Sequence, residues 1–486
     1  MEVKQKSIKF NFIMNVVLTI SSVVFPLITF PYITRILLPE GTGKIAFANS
    51  IVTYFTLFSM LGIPTYGIRA CAKVRDNKEQ LTRIVQEIWI INVVMTLIIS
   101  ILYACMILII PALRVELPLM FVCGLSIVLN MLGMEWLYKG LECYTFITVR
   151  SILFKTTGII LMFLLVHTKA DYVRYALISV FANAGYGVLN FIMARNYIFK
   201  YKIKNHDFRR HIKPILNFFA MSVAVVIYTN LDIVMLGALK SSQEVGYYDV
   251  AVKVKVILVN IVTALGTVIL PRASYYVETN RLKEFHSVIR KSFQLIAVLS
   301  IPLTIYFSVM AKESVLLLSG SQYLPAVFPM MVIMPTIIII GFSNLTGIQI
   351  LIPMGKEIIV TYSEVAGAIL NLTINLMLIP RLGVMGAAIG TLAAELLVLL
   401  VQTIFIKKEK LILSNTREFL KIIIAILVSL PILLLIRKTM VGPTLFHLLV
   451  TAVCFFGVYI ILLSCMREQT ARLFYEIIGE KLKRRK

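Results

Sequence analysis

The sequence predicts an all-α polytopic membrane protein with about fourteen transmembrane helices, built as two pseudo-symmetric six-helix bundles followed by two C-terminal helices. Three observations predict this fold: the composition, the recurrence of long apolar stretches and the distribution of basic loops. Of the 486 residues, 59% are hydrophobic and 15% are charged, whereas a soluble domain is about half apolar and about a quarter charged. Because no soluble fold could bury so much apolar surface, we expect the chain to lie in a lipid bilayer.

Apolar stretches of the length that a helix needs to cross a bilayer, about 20 residues, recur along the whole chain. The runs 98–110 and 422–436 do not alternate in polarity, which argues against the alternating strands of a transmembrane β-barrel. The spans are therefore helices. Their predicted ranges are 11–34, 45–67, 85–110, 117–138, 147–167, 172–194, 214–238, 245–270, 292–310, 326–352, 358–379, 384–406, 419–436 and 445–465.

Basic residues are concentrated in every second loop. With the N-terminus inside, 35 Lys and Arg side chains fall in inner segments and 9 in outer segments, which is the positive-inside pattern of a protein with both termini in the cytoplasm. The formal charge of +24 therefore comes mainly from the inner loops, and a nucleic acid is not an expected partner. No A-x-A-like cleavage site follows the first basic residues, so we expect the first span to be retained.

An internal repeat relates the two halves of the chain. A shift of 203 residues places Gly43 on Gly246 and Arg69 on Arg272. Because the repeat unit contains six spans, both copies should enter the membrane in the same sense and face each other across a central cavity, which suits alternating access. The predicted domains are an N-terminal six-helix bundle (1–205), a C-terminal six-helix bundle (206–412), two appended helices (413–466) and a basic cytoplasmic tail (467–486).

Motifs for nucleotide binding and catalysis are absent from the sequence. The Gly-Lys pairs at 43–44 and 355–356 do not follow the G-x-x-x-x-G-K-[ST] pattern that cradles phosphates, so ATP-driven transport by this chain alone is excluded. The five histidines and six cysteines indicate neither a metal site nor a disulfide framework. We therefore expect no enzyme and no cofactor, other than a proton or sodium ion that could drive transport.

Charged residues inside the spans are costly in a bilayer and are functional candidates for that reason. Lys155 lies roughly 12 Å into the fifth span, at about 1.5 Å per residue, and has no close partner in the sequence. Lys253 lies about as deep in the eighth span, but Asp249, four residues earlier on the same helical face, could form a local ion pair with it. Lys155 is therefore the strongest single candidate for a substrate contact.

Other candidates lie at the ends of the spans or deep within them. Arg69, Arg150 and Arg272 could contact a substrate or could anchor their helices at the inner membrane surface. Glu364 and Glu395 could bind a coupling ion or neutralise a lysine across the cavity. The excess of cations indicates an anionic substrate, and phosphate suits both Arg and Lys. The candidate residues are Arg35, Lys44, Arg69, Lys155, Lys253 and Arg272 for an anionic headgroup or diphosphate, and Asp232, Glu364 and Glu395 for ion coupling.

Three segments are similar to those of a known family. The stretch Phe30-Pro-Tyr-Ile-Thr-Arg-Ile-Leu-Leu-Pro-Glu-Gly-Thr-Gly-Lys, followed by Leu61-Gly-Ile-Pro-Thr-Tyr-Gly-Ile-Arg69, resembles the N-terminal signature of bacterial polysaccharide flippases. These are the Wzx-type members of the multidrug/oligosaccharidyl-lipid/polysaccharide exporter superfamily. A further segment, Glu135-Trp136-Leu-Tyr-Lys-Gly-Leu-Glu142, looks like a second family motif. Arg35, Lys44 and Arg69 lie within the first signature.

The resemblance implies a V-shaped pair of bundles in the bacterial cytoplasmic membrane. Such proteins would flip undecaprenyl-diphosphate-linked oligosaccharides from the inner to the outer leaflet for export of capsule, O-antigen or exopolysaccharide. The glycan and diphosphate would pass through a cationic central cavity while the lipid tail stays in the bilayer. A polysaccharide polymerase and chain-length machinery are further partners that the resemblance implies.

Two alternatives remain open at this stage. An ion-coupled multidrug or small-molecule antiporter of the same superfamily would have a cavity dominated by acidic residues. A membrane glycosyltransferase or polymerase would need a long outer loop with catalytic carboxylates, and the outer segments of this chain are short. The sequence therefore favours a lipid-linked oligosaccharide flippase.

Overall fold

The computed structural model describes residues 8–198, 206–408, 416–440 and 442–469. The chain forms two compact units, Met1–Gly246 and Tyr247–Lys486, and every regular element of the described residues is a helix. The domain boundaries predicted at 205, 412 and 466 stay predictions, and the first two fall outside the described residues. The predicted basic tail also lies outside them from residue 470 onward.

Nineteen α-helices of the described residues follow one another along the chain. The first ten, all in the first unit, are α1 (Ile8–Met60), α2 (Ile63–Val74), α3 (Lys78–Ile109), α4 (Pro111–Arg114), α5 (Leu117–Gly133), α6 (Glu135–Gly140), α7 (Tyr144–Leu165), α8 (Tyr172–Ala184), α9 (Tyr186–Ile198) and α10 (Arg209–Leu239). The other nine are α11 (Ser242–Glu278), α12 (Leu282–Val309), α13 (Ala311–Ser319), α14 (Val327–Ile333), α15 (Thr336–Asn344), α16 (Glu357–Leu382), α17 (Val384–Lys408), α18 (Thr416–Thr439) and α19 (Thr444–Cys465).

The all-α membrane fold is confirmed. Within the described ranges, 10 helices are long and apolar enough to cross a membrane, and the number is up to 12 if each of two bent helix pairs counts as one span. Two predicted spans are not counted separately: the first and second share the helical stretch Ile13–Val74, and the seventh lies on α10. The predicted number of about fourteen is therefore approximate.

The predicted loop between the first two spans is a kink inside α1. Leu38 has φ 60° and ψ 175°, a backbone conformation that is unfavourable for a residue with a Cβ atom. Pro39 follows it, and a proline disfavours helical geometry in the residue before it. The chain therefore changes direction at one residue and resumes the helix directly, without the longer turn that the sequence predicts.

A buried carboxylate fixes the start of α10 against α3. Glu87 on α3 is fully buried. It accepts hydrogen bonds from the Asp207 backbone N–H at 2.8 Å and Arg83 Nε at 3.1 Å, and it pairs with His211 Nε2 at 2.7 Å. Arg210 also contacts it through Nε at 3.0 Å and through Nη2. Because the carboxylate has this many partners, it ties the segment before α10 to the first unit.

In the second unit the last two helices pack on α12. Ala297 of α12 shares an apolar cluster with Ile422 of α18 and Tyr459 of α19, and the Tyr459 hydroxyl donates a hydrogen bond to the Val298 carbonyl oxygen at 3.0 Å. The helices that follow the second predicted bundle are therefore joined to that unit through a buried apolar contact.

Two glycines that the internal repeat matches lie at close backbone approaches in the first unit. A Cβ atom on Gly43 would lie 1.6 Å from the Ser242 carbonyl oxygen, and one on Gly246 would lie 2.1 Å from the Pro39 carbonyl oxygen. Real Cβ atoms do not approach backbone so closely, so both positions require glycine. By contrast, a Cβ on Gly457 in α19 would meet no atom within 4 Å.

Replacing Gly43 by alanine should destabilise the protein, because two backbone segments would have to separate. Overpacking of this kind costs about 1–3 kcal/mol or more. We expect Gly43→Ala to lower the thermal unfolding midpoint of the detergent-purified protein. The matched Gly457→Ala change should leave the midpoint unchanged or raise it slightly, since alanine favours a helix by roughly 0.5–1 kcal/mol over glycine. Equal midpoints for the two variants would contradict the close approach.

Candidate functional site

Lys44 lies in a compact ion cluster at the start of the second predicted span. Its Nζ is 2.9 Å from Glu40 Oε1 and 3.0 Å from Glu116 Oε1, and it lies 5.2 Å from the centre of the Tyr172 ring. The Tyr172 hydroxyl donates to the other oxygen of Glu116 at 2.8 Å. Because two carboxylates already surround this ammonium group, it joins α1 to the start of α5 and has little charge left for a substrate.

Three other predicted cations are exposed at the surface of their units. Arg35 is exposed and its Nη1 donates to the Pro31 carbonyl oxygen at 2.6 Å. Arg69 on α2 and Arg272 on α11 are also exposed. Their roles stay predictions, since exposure suits both a substrate contact and an anchor at the membrane surface.

Lys155 is half-buried in the middle of α7 and faces α1. Its Nζ donates to the Ser22 hydroxyl at 3.1 Å and lies 5.7 Å from the centre of the Phe25 ring. Among the described residues, no carboxylate oxygen lies within the 4.0 Å that defines an ion pair with this nitrogen. Lys155 is therefore a cation inside a membrane span whose direct contacts are a hydroxyl and an aromatic ring, while Glu135 acts on it only from beyond ion-pair distance.

A second cation, Arg150, lies five residues earlier on α7. It is only 4% exposed, and its guanidinium carbon lies 4.0 Å from the centre of the Tyr186 ring and 5.6 Å from that of Phe146. Its Nη2 is 3.7 Å from Glu135 Oε2. The Nε and Nη1 atoms of Arg150 have no hydrogen-bond partner in the described part of the chain. A buried donor without a partner costs about 1–3 kcal/mol, so an added acceptor at these two atoms would stabilise the guanidinium.

The contact between Arg150 and Glu135 is one that sequence reasoning missed. The sequence predicts Arg150 only as a substrate contact or a membrane anchor, because no acidic residue lies three or four positions away from it on the helix. Glu135 lies on α6, and a turn separates that helix from α7. The only sequence signal is that Glu135 and Lys139 belong to the second family motif.

In the second unit, Lys253 is paired as its spacing suggests. Its Nζ lies 2.6 Å from Asp249 Oδ2, and its side chain is 45% exposed. In the first unit, Asp232 on α10 is buried and interacts electrostatically with Tyr54 on α1. The local ion pair expected from the spacing of Asp249 and Lys253 is therefore present, and the role of Asp232 in ion coupling stays a prediction.

The two remaining carboxylates come together in the second unit. Glu364 on α16 and Glu395 on α17 interact electrostatically, although 31 residues separate them in the sequence. On the same two helices, Gln402 of α17 accepts a hydrogen bond from the Thr346 hydroxyl at 2.5 Å and donates one to the Ser363 hydroxyl of α16 at 3.0 Å. Two interacting acidic groups inside a membrane protein are candidates for binding a proton or another cation.

Comparison with known proteins agrees with these features. The family of polysaccharide biosynthesis proteins matches residues 8–277. The chain belongs to this family. It is 27% identical over 418 residues to a protein of Escherichia coli (strain K12) described as a candidate O-antigen transporter, and the match covers 85% of this chain and 100% of that protein. The family resemblance found in the sequence motifs is thus confirmed.

Two solved structures share the fold of this chain. One is the lipid II flippase MurJ in an inward closed conformation, with a TM-score of 0.73 and 16% identity, covering 94% of this chain and 99% of that one. The other is an inward-facing multidrug resistance transporter of the MATE family, with a TM-score of 0.64 and 11% identity, covering 82% and 97%. At these identities the likeness shows the fold alone.

Lys44 and Lys253 allow a matched test of which paired lysine supports the fold. Lys44→Met removes the cation between two carboxylates, and we expect it to reduce stability by roughly 1–3 kcal/mol, less than the about 3–5 kcal/mol typical of breaking a fully buried pair. Lys253→Met removes a lysine that is 45% exposed and pairs with Asp249 one helical turn away, so it should cost less, about 1 kcal/mol. Thermal unfolding midpoints of the purified variants measure the difference. A larger loss for Lys253→Met would contradict a structural role for the Lys44 cluster.

Proposed function

We propose that this protein flips an undecaprenyl-diphosphate-linked oligosaccharide from the inner to the outer leaflet of the bacterial cytoplasmic membrane by alternating access. Three findings support the proposal: membership of the polysaccharide biosynthesis family, a relative described as a candidate O-antigen transporter, and a fold shared with a lipid II flippase. The oligosaccharide delivered to the outer leaflet would be used to build a surface polysaccharide. In this proposal both termini are cytoplasmic, and the chain transports its substrate without chemical change.

The observation that carries the proposal is the set of groups that contact the Lys155 ammonium group. A charge inside a membrane span is costly, and such charges usually pair with one another or line a substrate path. Lys155 instead contacts the Ser22 hydroxyl and the Phe25 ring. A diphosphate group would supply the negative charge that this ammonium group lacks. In a carrier of cationic drugs, the Lys155 ammonium group would repel the substrate.

The pair Glu364 and Glu395 favours ion coupling as a second part of the proposal. Two carboxylates close together in a membrane protein can share a proton or bind a sodium ion, and occupation of the pair would change with the ion gradient. The same pair would also suit the alternative function, an ion-coupled antiporter of small molecules. The cations on α7 favour the flippase, because their sign matches a phosphate-bearing substrate.

Replacing Lys155 tests the proposed substrate path. In a strain lacking the native gene, we expect Lys155→Ala to reduce surface glycan at least several-fold and to cause polyprenyl-linked oligosaccharide to accumulate, as measured in lipid extracts. Lys155→Arg keeps the charge and should retain most of the export. Lys169→Ala, which removes an exposed lysine, serves as the matched control, and immunoblots of membranes confirm equal protein levels. Normal glycan export by Lys155→Ala would contradict the proposal.

Replacing the paired carboxylates tests ion coupling. In proteoliposomes, transport of a fluorescent lipid-linked oligosaccharide should rise when a proton or sodium gradient is imposed on the unchanged protein. We expect Glu364→Gln or Glu395→Gln to abolish this stimulation, while Glu357→Gln, at an exposed position on the same helix as Glu364, should preserve it. Stimulation that persists in both variants would contradict coupling at this pair.

A further inference from the structure

The guanidinium group of Arg150 is buried against an aromatic ring, and the described residues do not saturate its donors. It lies against the Tyr186 ring at 4.0 Å and is buried together with Phe146, whose ring centre is 5.6 Å away. A planar guanidinium offers two edges for bidentate binding, and both edges include Nη2. Nη2 faces Glu135 at 3.7 Å, whereas Nε and Nη1 have no acceptor in the described residues. Each edge therefore retains an unused donor.

Glu135 cannot satisfy Arg150, because this carboxylate is shared among several groups. Its Oε1 lies 2.9 Å from Lys139 Nζ, and its Oε2 accepts a hydrogen bond from the Tyr186 hydroxyl at 3.2 Å. It also interacts electrostatically with Lys155. Three cations thus surround one carboxylate. The cluster has an excess of positive charge and lies beside the Phe146 and Tyr186 rings. In such apolar surroundings a cation attracts an anion more strongly than in water.

We propose that Arg150 is a binding site for a phosphate group and that Glu135 is the counter-ion which the phosphate displaces. A phosphate oxygen pair can bind one edge of an Arg fork through two parallel hydrogen bonds, and the Tyr186 ring, which lies over the guanidinium at 4.0 Å, takes up none of its donors. This inference rests on the proposed function, because it assigns the diphosphate of the lipid-linked substrate to a particular side chain.

The exchange costs Glu135 none of its other partners. When an anion takes the place of Glu135 beside Nη2, the carboxylate keeps its ion pair with Lys139 and its hydrogen bond from Tyr186. Arg150 gains an acceptor for Nη2 and for the other donor of the bound edge, which is Nε or Nη1. The carboxylate therefore acts as a weak competitor, which keeps the guanidinium compensated between transport cycles and releases it when a stronger acceptor arrives.

The site can be tested by binding alone, without any transport. The chain has two tryptophans, and Trp136 is the direct neighbour of Glu135 in the sequence. In a Trp89→Phe background, the fluorescence of Trp136 should report binding when protein in lipid nanodiscs is titrated with inorganic pyrophosphate. We expect a saturable change. Arg150→Gln should weaken the apparent affinity about ten-fold or more, as expected for the loss of a charge-assisted hydrogen bond.

The decisive comparison is between Arg150→Gln and Glu135→Gln. Because Glu135 competes with the anion, Glu135→Gln should tighten pyrophosphate binding by a few-fold, opposite in sign to the effect of Arg150→Gln. A purely structural role for the pair would weaken binding in both variants, and that result would overturn the proposal. Arg150→Lys keeps the charge and tests whether a loss of binding reflects misfolding: this variant should bind measurably, though more weakly than the unchanged protein.

The control pair is Arg75 and Glu142, which form an ion pair at 2.9 Å with side chains 36% and 42% exposed. Arg75→Gln should leave pyrophosphate binding unchanged, and an equal loss in this variant would overturn the assignment to Arg150. Undecaprenyl diphosphate incorporated into the nanodiscs should compete with pyrophosphate. If it does not compete, the site binds free phosphate and not a lipid headgroup, and the proposal for the lipid substrate fails.

The pyrophosphate-binding test of Arg150 and the export test of the flippase function can fail independently of each other. If Lys155→Ala blocks export but pyrophosphate binding is insensitive to Arg150→Gln, the flippase function stands and only the assignment of Arg150 fails. If binding follows the expected pattern but deletion of the gene causes no accumulation of lipid-linked oligosaccharide, the anion site stands and the flippase function fails.

Discussion

A charge inside the apolar body of this protein has to find its partners within the protein, because the core of a bilayer offers neither water nor free ions. Where the set of partners is complete, the charge acts as a structural link. Glu87 has donors from α3, from α10 and from the backbone that precedes α10. Lys44 lies between two carboxylates and ties α1 to the start of α5. These saturated groups fix the relative positions of helices in the first unit.

Where the set is incomplete, the same constraint indicates function. Arg150 and Lys155 occupy one helix, five residues apart, and share the influence of a single carboxylate, Glu135. A protein that needed these cations only for stability could pair them with a second carboxylate, as it does for Lys44. The shortage of negative charge is therefore consistent with an anionic substrate that completes the cluster during transport. In the second unit, Glu364 and Glu395 are instead two carboxylates that interact with each other.

Much of the architecture could be predicted from local properties of the chain. The apolar length of each span and the alternation of basic loops depend on residues that are near one another in the sequence. Both can therefore be predicted from the sequence. The ion pair between Asp249 and Lys253 is of the same kind, because residues four apart lie on one face of a helix. The kink at Leu38 was less predictable: the proline beside it disfavours helical geometry at Leu38, but the helix resumes directly after this residue.

By itself, the sequence determined the membrane fold, the approximate number of spans and the family, and it predicts a substrate path lined by cations. Only the tertiary structure decided which cations are already neutralised. Glu116 reaches Lys44 across 72 positions of the chain, and Glu135 reaches Arg150 from another helix. Such contacts depend on how helices pack, and packing brings together side chains whose spacing in the sequence follows no helical period. For that reason Lys44 and Arg150, both basic and both at the ends of spans, look alike in the sequence and differ in the folded protein.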